Sequence, residues 1–219
     1  MKRRSRAHRH DTDTRSRLVA VASRLFWERG YHATGIAEVV REAGVFVGSL
    51  YHFFPTKQHL LAAVLEQYRT GIDEALLQPA WAGVQDPIER IFALLARYRA
   101  ALVATKCFYG CPIGSLATEL REPDPTIREL LAANFREWTG AVERCLAAAA
   151  PSLSGGVNIR ALSHMVLSVM EGGVMQARTH RSLEAFDAGV TCLRDYLGRL
   201  IEGDDTRPRS KPRQPRSKG

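Results

Sequence analysis

Two short helical patterns joined at Gly44 constrain the fold of this chain more than any other feature. The first occupies residues 34–43, where Thr34 is suited to cap a helix. The second occupies residues 46–53, and Pro55 prevents it from continuing. The apolar residues at helical spacing are Ile36, Val39 and Val40 in the first, and Val47, Leu50 and Tyr51 in the second. Because glycine suits the tight turn between them, the pair predicts a helix-turn-helix unit.

A helix-turn-helix unit inserts its second helix into the major groove of DNA, so residues 46–53 are expected to read base edges. Ser49 is the best polar candidate for a base contact, while Phe46 and Val47 are expected to meet thymine methyl groups. A helix this short offers only a few side chains to the bases, so one such unit alone is not very selective.

This part of the chain resembles the TetR family of bacterial transcriptional repressors. The residues that match the family pattern are Gly30, Tyr31, Thr34, Ile36, Ala43, Gly44, Val45, Leu50, Tyr51, His52, Phe54, Pro55, Lys57 and Leu60. The chain departs from the pattern at Gly35, where a hydroxyl residue is common, and at Phe46 and Val47, which replace a serine and a polar or basic residue. The resemblance implies a dimer that binds a palindromic operator and is released by a small-molecule effector.

Phosphate contacts are expected from Tyr51, His52 and Lys57, and from the hydroxyl or the helix-start amides at Thr34. The alternatives are that Tyr51 packs against the first helix and that His52 is an ordinary surface histidine. The resemblance favours phosphate contact for both. The predicted DNA-binding residues are therefore Thr34, Gly35, Phe46, Val47, Ser49, Tyr51, His52 and Lys57.

The net charge of +8 arises from the two ends of the chain. Residues 1–10 carry five basic side chains and residues 207–219 carry six, neither with an acid, which leaves 20 of the 31 basic residues against all 23 acidic ones. Residues 1–12 are predicted to be a flexible arm that reaches DNA phosphates or the minor groove. Residues 204–219 are predicted to be a disordered tail, either solubilising or an accessory DNA contact.

The rest of the chain is read as helices that support the motif. A first helix is predicted from Asp13 or Thr14 to Gly30, completing a DNA-binding domain over residues 13–58. A fourth helix, capped by Thr56, is expected to reach the Leu76 region, followed by a break over residues 78–83. Further helices are expected at 87–105, 112–120 and 125–150. Another is expected to start at Asn158, and a last helix follows it.

The last helix carries apolar residues spaced by three and four, which is typical of a seam between two helices: Leu183, Phe186, Val190, Leu193, Leu197 and Leu200. We predict a homodimer through the last two helices, as the resemblance also implies. A seam within one chain is the alternative. Residues 59–203 are thus assigned to a helical ligand-binding and dimerisation domain, and the predicted fold class is all-α.

An effector pocket is expected among the aromatic and methionine residues of this second domain, with Glu171 or Gln176 as polar anchors. The predicted ligand-binding residues are Phe92, Tyr109, Cys111, Phe135, Trp138, Met165, Met170, Glu171 and Gln176. Packing in a plain core is the alternative for the apolar ones. A hydrophobic or aromatic effector fits this composition.

The four cysteines, at 107, 111, 145 and 192, have no disulfide-framework spacing. Cys107 and Cys111 raise the alternative of a thiol redox sensor, but no histidine near them completes a metal site. A nonspecific DNA binder with basic tails is a second alternative. The chain lacks enzyme motifs, a signal peptide and an apolar run long enough to cross a membrane, so we predict a cytoplasmic regulator without cofactor.

Overall fold

The computed structural model describes residues 2–202, with side chains from residue 12 onward. Its helices are α1 (Lys2–Arg29), α2 (Ile36–Ala43), α3 (Val47–Phe53), α4 (Lys57–Ile72), α5 (Gln78–Trp81), α6 (Pro87–Ala104), α7 (Pro112–Glu119), α8 (Pro125–Ala149), α9 (Ile159–His180) and α10 (Glu184–Glu202). A π-helical turn (Asp73–Leu77) and a 3-10 turn (Ala150–Ser152) complete the described elements, which contain no strand. The all-α prediction is confirmed. None of these helices is long and apolar enough to span a membrane.

The N-terminal head, which comprises α1, α2 and α3, contains the predicted helix-turn-helix unit. Gly44 adopts a φ of 63°, a left-handed conformation that favours glycine, and its N–H donates to the carbonyl oxygen of Arg41 at 3.2 Å. Leu50 of α3 is fully buried beside Val39 and Leu25 in the core beneath α1 and α2. The turn therefore sets α3 across α2, and Leu50 fixes which face of α3 points outward.

The start of α1 was predicted incorrectly. The helix begins at Lys2 rather than near Asp13 or Thr14, so the backbone of residues 2–12, predicted to be a flexible arm, continues α1. Asp13 lies inside the helix and pairs with Arg17 one turn later at 3.5 Å. Residues 2–29 contain no proline or glycine, and a helix once formed extends at little cost through arginine and alanine. The predicted tail, residues 204–219, lies outside the described residues.

The predicted break over residues 78–83 begins too early. After α4, the π-helical turn leads directly into α5, and the helical path ends only at Ala82 and at Gly83, whose φ is 77°. Pro79 cannot donate a backbone hydrogen bond, and it follows a wide turn that already departs from the α-helical bonding pattern. The proline therefore marks the change in helix geometry.

The C-terminal domain is built around α8, which packs against α4, α6 and α9. The predicted cap at Thr56 is confirmed, and Asp86 and Asn158 cap the helices that follow them. The side chains of Thr56, Asp86 and Asn158 accept backbone N–H bonds at the starts of α4, α6 and α9, at 3.3, 2.8 and 2.9 Å. Asn134 of α8 donates to the carbonyl oxygen of Leu65 at 3.0 Å, joining α8 to α4. Because α4 belongs to the head at its start, this packing connects the two domains.

The apolar seam of α10 packs partly within the chain. Phe186, Leu193 and Leu197 are buried, and α9 is the main neighbour of α10. Gly173 of α9 lies so close that an added Cβ would be 2.9 Å from the ring of Phe186. Half of the seam is therefore buried within one chain, as the alternative expected, whereas Leu183, Val190 and Leu200 are only partly buried. The homodimer through the last two helices stays a prediction. Other parts of the two helices remain exposed, including Met175, Tyr196 and Ile201.

Candidate DNA-reading surface and ligand cavity

The outward face of α3 and its N-cap forms a surface that we call the reader surface: Phe46, Val47, Tyr51 and His52. Phe46 is 87% exposed, Val47 54% and Tyr51 49%, and His52 is also exposed. The prediction that Val47 and Tyr51 share the face of Leu50 is therefore wrong. Ser49 is half-buried between the reader surface and the core.

Phe46 is the N-cap of α3, and its side chain cannot accept a hydrogen bond from the first amides of the helix. Large apolar side chains this exposed commonly mark an interaction site. Gly35, the N-cap of α2, is likewise exposed and has no side-chain cap. The two departures from the family pattern therefore leave both helix starts without a capping hydroxyl, on the exposed side of the head.

The roles predicted for the Thr34 hydroxyl are wrong. Thr34 is fully buried, and its Oγ1 lies 2.7 Å from the carbonyl oxygen of Gly30 and 3.3 Å from that of Leu25. It therefore closes the end of α1 instead of capping α2, and the hydroxyl cannot reach a phosphate. Thr34 was expected to cap α2 because it lies just before the apolar pattern. The N-cap position of α2 is instead occupied by Gly35, one residue later.

Lys57 is half-buried rather than extended into solvent. Its Nζ lies 4.3 Å from the centre of the Tyr31 ring, a cation–π arrangement. Burial lowers the pKa of Lys57, and the carboxylate of Glu119 partly opposes this effect. The side chain thus stands where the head meets α7, and any contact it makes with DNA starts from this position.

A cavity of about 440 Å³ lies between the head and the C-terminal domain. Its lining comes from α1, α4, α6, α7, α8 and α9, and it is mainly apolar. Predicted ligand residues that line it are Tyr109, Cys111, Phe135, Trp138, Met170 and Glu171. A volume of this size is within the range of small-molecule sites.

Three predicted ligand residues lie outside the lining. Phe92 is buried in the core beneath the guanidinium of Arg194, which lies 3.7 Å from the centre of its ring. Met165 packs on the core without lining the cavity, and Gln176 is exposed and donates to the carbonyl oxygen of Gly172 at 3.4 Å. Helical spacing identified their helices but not the rotation of each helix about its axis.

Sequence reasoning missed the part of the lining that comes from the first four helices: Ser23, Trp27, Gln67, Tyr68, Gly71 and Ile72. For Trp27, the sequence predicts only packing in or beside the core of the head. Instead, its Nε1 donates to the carbonyl oxygen of Gly110 at 2.7 Å, and its ring lies 4.8 Å from that of Tyr109. The one available signal was the indole N–H, which needs an acceptor when buried.

Glu119 joins the head to α7 through two hydrogen bonds that we call the Glu119 clamp. Its carboxylate accepts the backbone N–H of Tyr31 at 2.9 Å and that of His32 at 2.7 Å. Both amides lie in the turn between α1 and α2. The opposite end of α7 starts at Cys111, Pro112 and Ile113, which line the cavity. A single eight-residue helix thus touches the cavity at one end and the head at the other.

The polar groups of the cavity are few. Asn134 uses its amide in bonds to the carbonyl oxygens of Leu65 and Leu130. Trp138 Nε1 and Glu171 Oε1, by contrast, are buried without a partner in hydrogen-bond geometry, although the Tyr98 hydroxyl neighbours Trp138 and the Cys111 thiol neighbours Glu171. Oε2 of Glu171 lies so close to Gly114 that a Cβ added there would overlap it, so the carboxylate rests against the backbone of α7.

The four cysteines are free thiols. Cys107, Cys111 and Cys145 are buried free thiols, and Cys192 is exposed. Burial strongly raises the pKa of the Cys111 thiol, and the neighbouring Glu171 carboxylate raises it further. Because the thiolate is the form that oxidants and alkylating agents attack, Cys111 is a poor sensor of either.

Glu171 gives the stability of the protein a pH dependence that can be measured. Burial raises the pKa of Glu171 above the ordinary 4.5, although the Cys111 thiol acts in the opposite direction. An acid whose folded-state pKa is raised favours folding when it is protonated. Its contribution to the free energy of unfolding is therefore greatest below pH 4.5, and it falls as the pH rises through the raised pKa.

We therefore expect Glu171→Gln to raise the unfolding temperature of the unliganded protein by about 2–4 °C near neutral pH. The difference should shrink as the pH approaches 4.5. Calorimetry of both proteins across this pH range measures it, with the exposed Glu122→Gln as the control for loss of a surface charge. A lower unfolding temperature of Glu171→Gln near neutral pH would contradict this account.

Comparison with known proteins decides the family. Residues 18–64 match the model of bacterial regulatory proteins of the tetR family, and residues 87–190 match that of the transcriptional regulator LmrA/YxaF-like C-terminal domain. The HTH-type transcriptional regulator YxaF of Bacillus subtilis (strain 168) is 33% identical over 172 residues, which cover 77% of this chain and 87% of YxaF. The chain belongs to the TetR family.

Other TetR-family proteins align over nearly their whole length. The regulator LmrA of the same organism is 28% identical over 188 residues, covering 85% of this chain and 98% of LmrA. The repressor DhaR of Mycobacterium sp. (strain GP1) is 23% identical over 188 residues, covering 85% of this chain and 93% of DhaR. The crystal structure of a TetR transcriptional regulator from Chloroflexus aurantiacus superposes with a TM-score of 0.75 at 25% identity, over 88% of this chain and 98% of that one.

Proposed function

We propose that this TetR-family regulator is a repressor that binds a palindromic operator as a dimer and leaves it when a small, largely apolar effector enters the cavity. The observation that carries the proposal is the composition of the cavity wall. Ser23 and Trp27 belong to α1 of the head, and Gln67 and Tyr68 belong to α4, which begins in the head. An effector in this cavity would therefore touch the helices that hold α3 in place.

The coupling follows from differential binding. If the effector binds more tightly when the heads are set at a spacing that does not suit the operator, it lowers DNA affinity by that difference, typically about 1–3 kcal/mol. In this proposal, α4, the Trp27–Gly110 bond and the Glu119 clamp carry the change from the cavity to the head. Each is a direct contact between the two domains.

Dimerisation is proposed through the exposed faces of α9 and α10, since half of the α10 seam is already buried within the chain. Met175 is 61% exposed on α9, and Tyr196 and Ile201 are exposed on α10. A symmetric pair would present two reader surfaces at a fixed separation, which matches an inverted repeat with a defined half-site spacing. This arrangement supplies the selectivity that one short helix lacks.

The test begins with selection of bound duplexes from a random library, followed by footprinting on the selected sequence. Protection of a defined inverted repeat by a dimer supports the proposal. Uniform coverage without a preferred sequence supports the nonspecific binder and contradicts it. Compounds that raise the unfolding temperature of the protein are then added to the footprinting reaction, and loss of protection at saturating concentration is the expected result.

The thiol alternative is not favoured, because the environment of Cys111 makes its thiol less acidic. Replacing Cys107 and Cys111 together by serine separates the two sensing mechanisms. Release by a compound should persist in the double variant if the cavity is the sensor. Release that requires the thiols would favour the redox mechanism.

Lys57→Ala tests the phosphate contact predicted for the head. We expect operator affinity to fall by a similar factor on all sequences, and the salt dependence of binding to fall by about one unit for each phosphate that is no longer neutralised. Fluorescence anisotropy over a range of salt concentrations measures both. Arg144→Ala is the control, because it removes an exposed basic residue far from the head. Arg144 lies near the end of α8, whereas the start of α8 is the end near the head, where Asp124 contacts Gln58. An unchanged salt dependence in Lys57→Ala would show that Lys57 only supports Tyr31.

A further inference from the structure

The two unpaired buried polar atoms of the described side chains lie in the same cavity. They are Trp138 Nε1 and Glu171 Oε1. Trp138 is more than nine-tenths buried, and an indole N–H can only donate. Leaving such an atom without a partner costs about 1–3 kcal/mol, so folded proteins seldom do so without a functional reason. Their common position indicates that a bound molecule completes both hydrogen bonds.

The charge on Glu171 is also uncompensated in the described part of the chain. Arg97 is the basic residue of the cavity lining, yet it is exposed and forms no ion pair with Glu171. Arg178, on the same helix as Glu171, is exposed and directs its guanidinium to the hydroxyl of Ser115 at 3.3 Å. The polar groups beside Glu171 are the Cys111 thiol and the Tyr98 hydroxyl, and neither carries positive charge.

Aromatic rings supply most of the remaining recognition surface. The aromatic residues in the lining are Trp27, Tyr68, Tyr98, Tyr109, Phe135 and Trp138. The faces of such rings attract organic cations, most strongly when water is excluded, and they also stack on flat apolar groups. The lining thus combines one carboxylate and the unpaired indole N–H of Trp138 with a largely aromatic wall.

We propose that the effector is an organic cation whose ammonium group pairs with Glu171, whose flat apolar body packs among the aromatic rings, and which offers a hydrogen-bond acceptor to Trp138 Nε1. This inference rests on the proposed function and specifies the chemical class of its effector. A cation would supply the charge that the cavity lacks, so it favours the ionised carboxylate that burial disfavours. A carboxylate ligand would place two like charges in the same apolar space.

Three probes that differ mainly in their terminal group test the charge preference: naphthyloxyethylamine, naphthyloxyethanol and naphthyloxyacetate. All share a flat ring system and an ether oxygen that can accept from Trp138. Their affinities for the full-length protein are measured by calorimetry near neutral pH, where the amine is protonated. We expect the amine to bind at least about tenfold more tightly than the alcohol, and the acetate to bind most weakly.

Two variants separate the two anchors. Glu171→Gln keeps the shape but removes the charge, so the preference for the amine over the alcohol should fall to about threefold or less. Trp138→Phe removes the donor, so all three probes should weaken by a similar factor and keep their order. Glu122→Gln removes an exposed charge outside the cavity and should leave all three affinities unchanged.

Equal binding of amine and alcohol to the unaltered protein would overturn the inference, as would an amine preference that survives Glu171→Gln. Failure of all three probes to bind would overturn it too. Operator binding is measured separately without any probe. A protein that selects an inverted repeat and binds the neutral alcohol best retains the proposed function and refutes only the cationic effector.

Discussion

Replacing Phe46 by aspartate should make the protein more stable and abolish specific DNA binding. Phe46 is the N-cap of α3 and lacks a capping side chain, so an aspartate there can accept an amide N–H of the first turn. This is worth about 1 kcal/mol, or an increase of about 2–4 °C in the unfolding temperature. In the proposed complex the reader surface meets DNA, so the same carboxylate would repel the phosphates and should lower operator affinity at least about tenfold per head.

Phe46→Ser is the matched variant, because serine caps the helix without adding charge. It should gain the same stability and lose operator affinity far less than Phe46→Asp does. Thermal unfolding and anisotropy measurements on the three proteins separate the two effects. If Phe46→Asp bound the operator as tightly as the unaltered protein, the reader surface as defined here would not face DNA.

Glu119→Ala should uncouple the cavity from the head. The substitution removes both acceptors of the clamp and leaves the N–H groups of Tyr31 and His32 without a protein partner. Removing each bond costs about 1–3 kcal/mol, so the amide hydrogens of these two residues should exchange with solvent at least about tenfold faster. The ratio of operator affinities without and with effector, typically about 5–150 for such coupling, should fall towards one.

Hydrogen exchange followed by mass spectrometry measures the first effect and needs no effector. Glu119→Gln retains one acceptor oxygen and should be intermediate, while Glu122→Ala, a few residues further along and exposed, should behave as the unaltered protein. Unchanged exchange at residues 31 and 32 in Glu119→Ala would remove the clamp from the coupling mechanism. Complete effector release in that variant would assign the coupling to α4 and Trp27 alone.

Local chemistry made several features of the fold predictable. Gly44 could be assigned to the turn because its conformational requirement depends on one residue. The caps at Thr56, Asp86 and Asn158 each involve groups three residues apart. The head resembles the TetR family along a continuous stretch, and the model of that family matches residues 18–64. The error at the start of α2 arose because two adjacent residues could each occupy the N-cap position. Thr34 was assigned to it, but Gly35 occupies it.

The candidate cavity was only partly predictable. The C-terminal helices that line it were identified, but the contribution of α1 was not. Trp27 and Gly110 are 83 positions apart, and Glu119 is 88 positions from Tyr31. No periodicity within either helix reports a bond to a segment so distant. Helical spacing reveals an apolar face without its orientation, which explains why Phe92 and Met165 lie outside the pocket. The polar anchor predicted at Gln176 depends on the same unknown rotation.

By itself, the sequence determined the all-helical fold, the helix-turn-helix unit and the family, since these depend on turn residues, caps and short periodic patterns. The tertiary structure alone decided that the buried half of the α10 seam packs within the chain, that Thr34 is buried, and that the head forms part of the cavity wall. The physical reason is that an apolar face must be buried, but many partners can bury it. The choice among them depends on the packing of the whole chain.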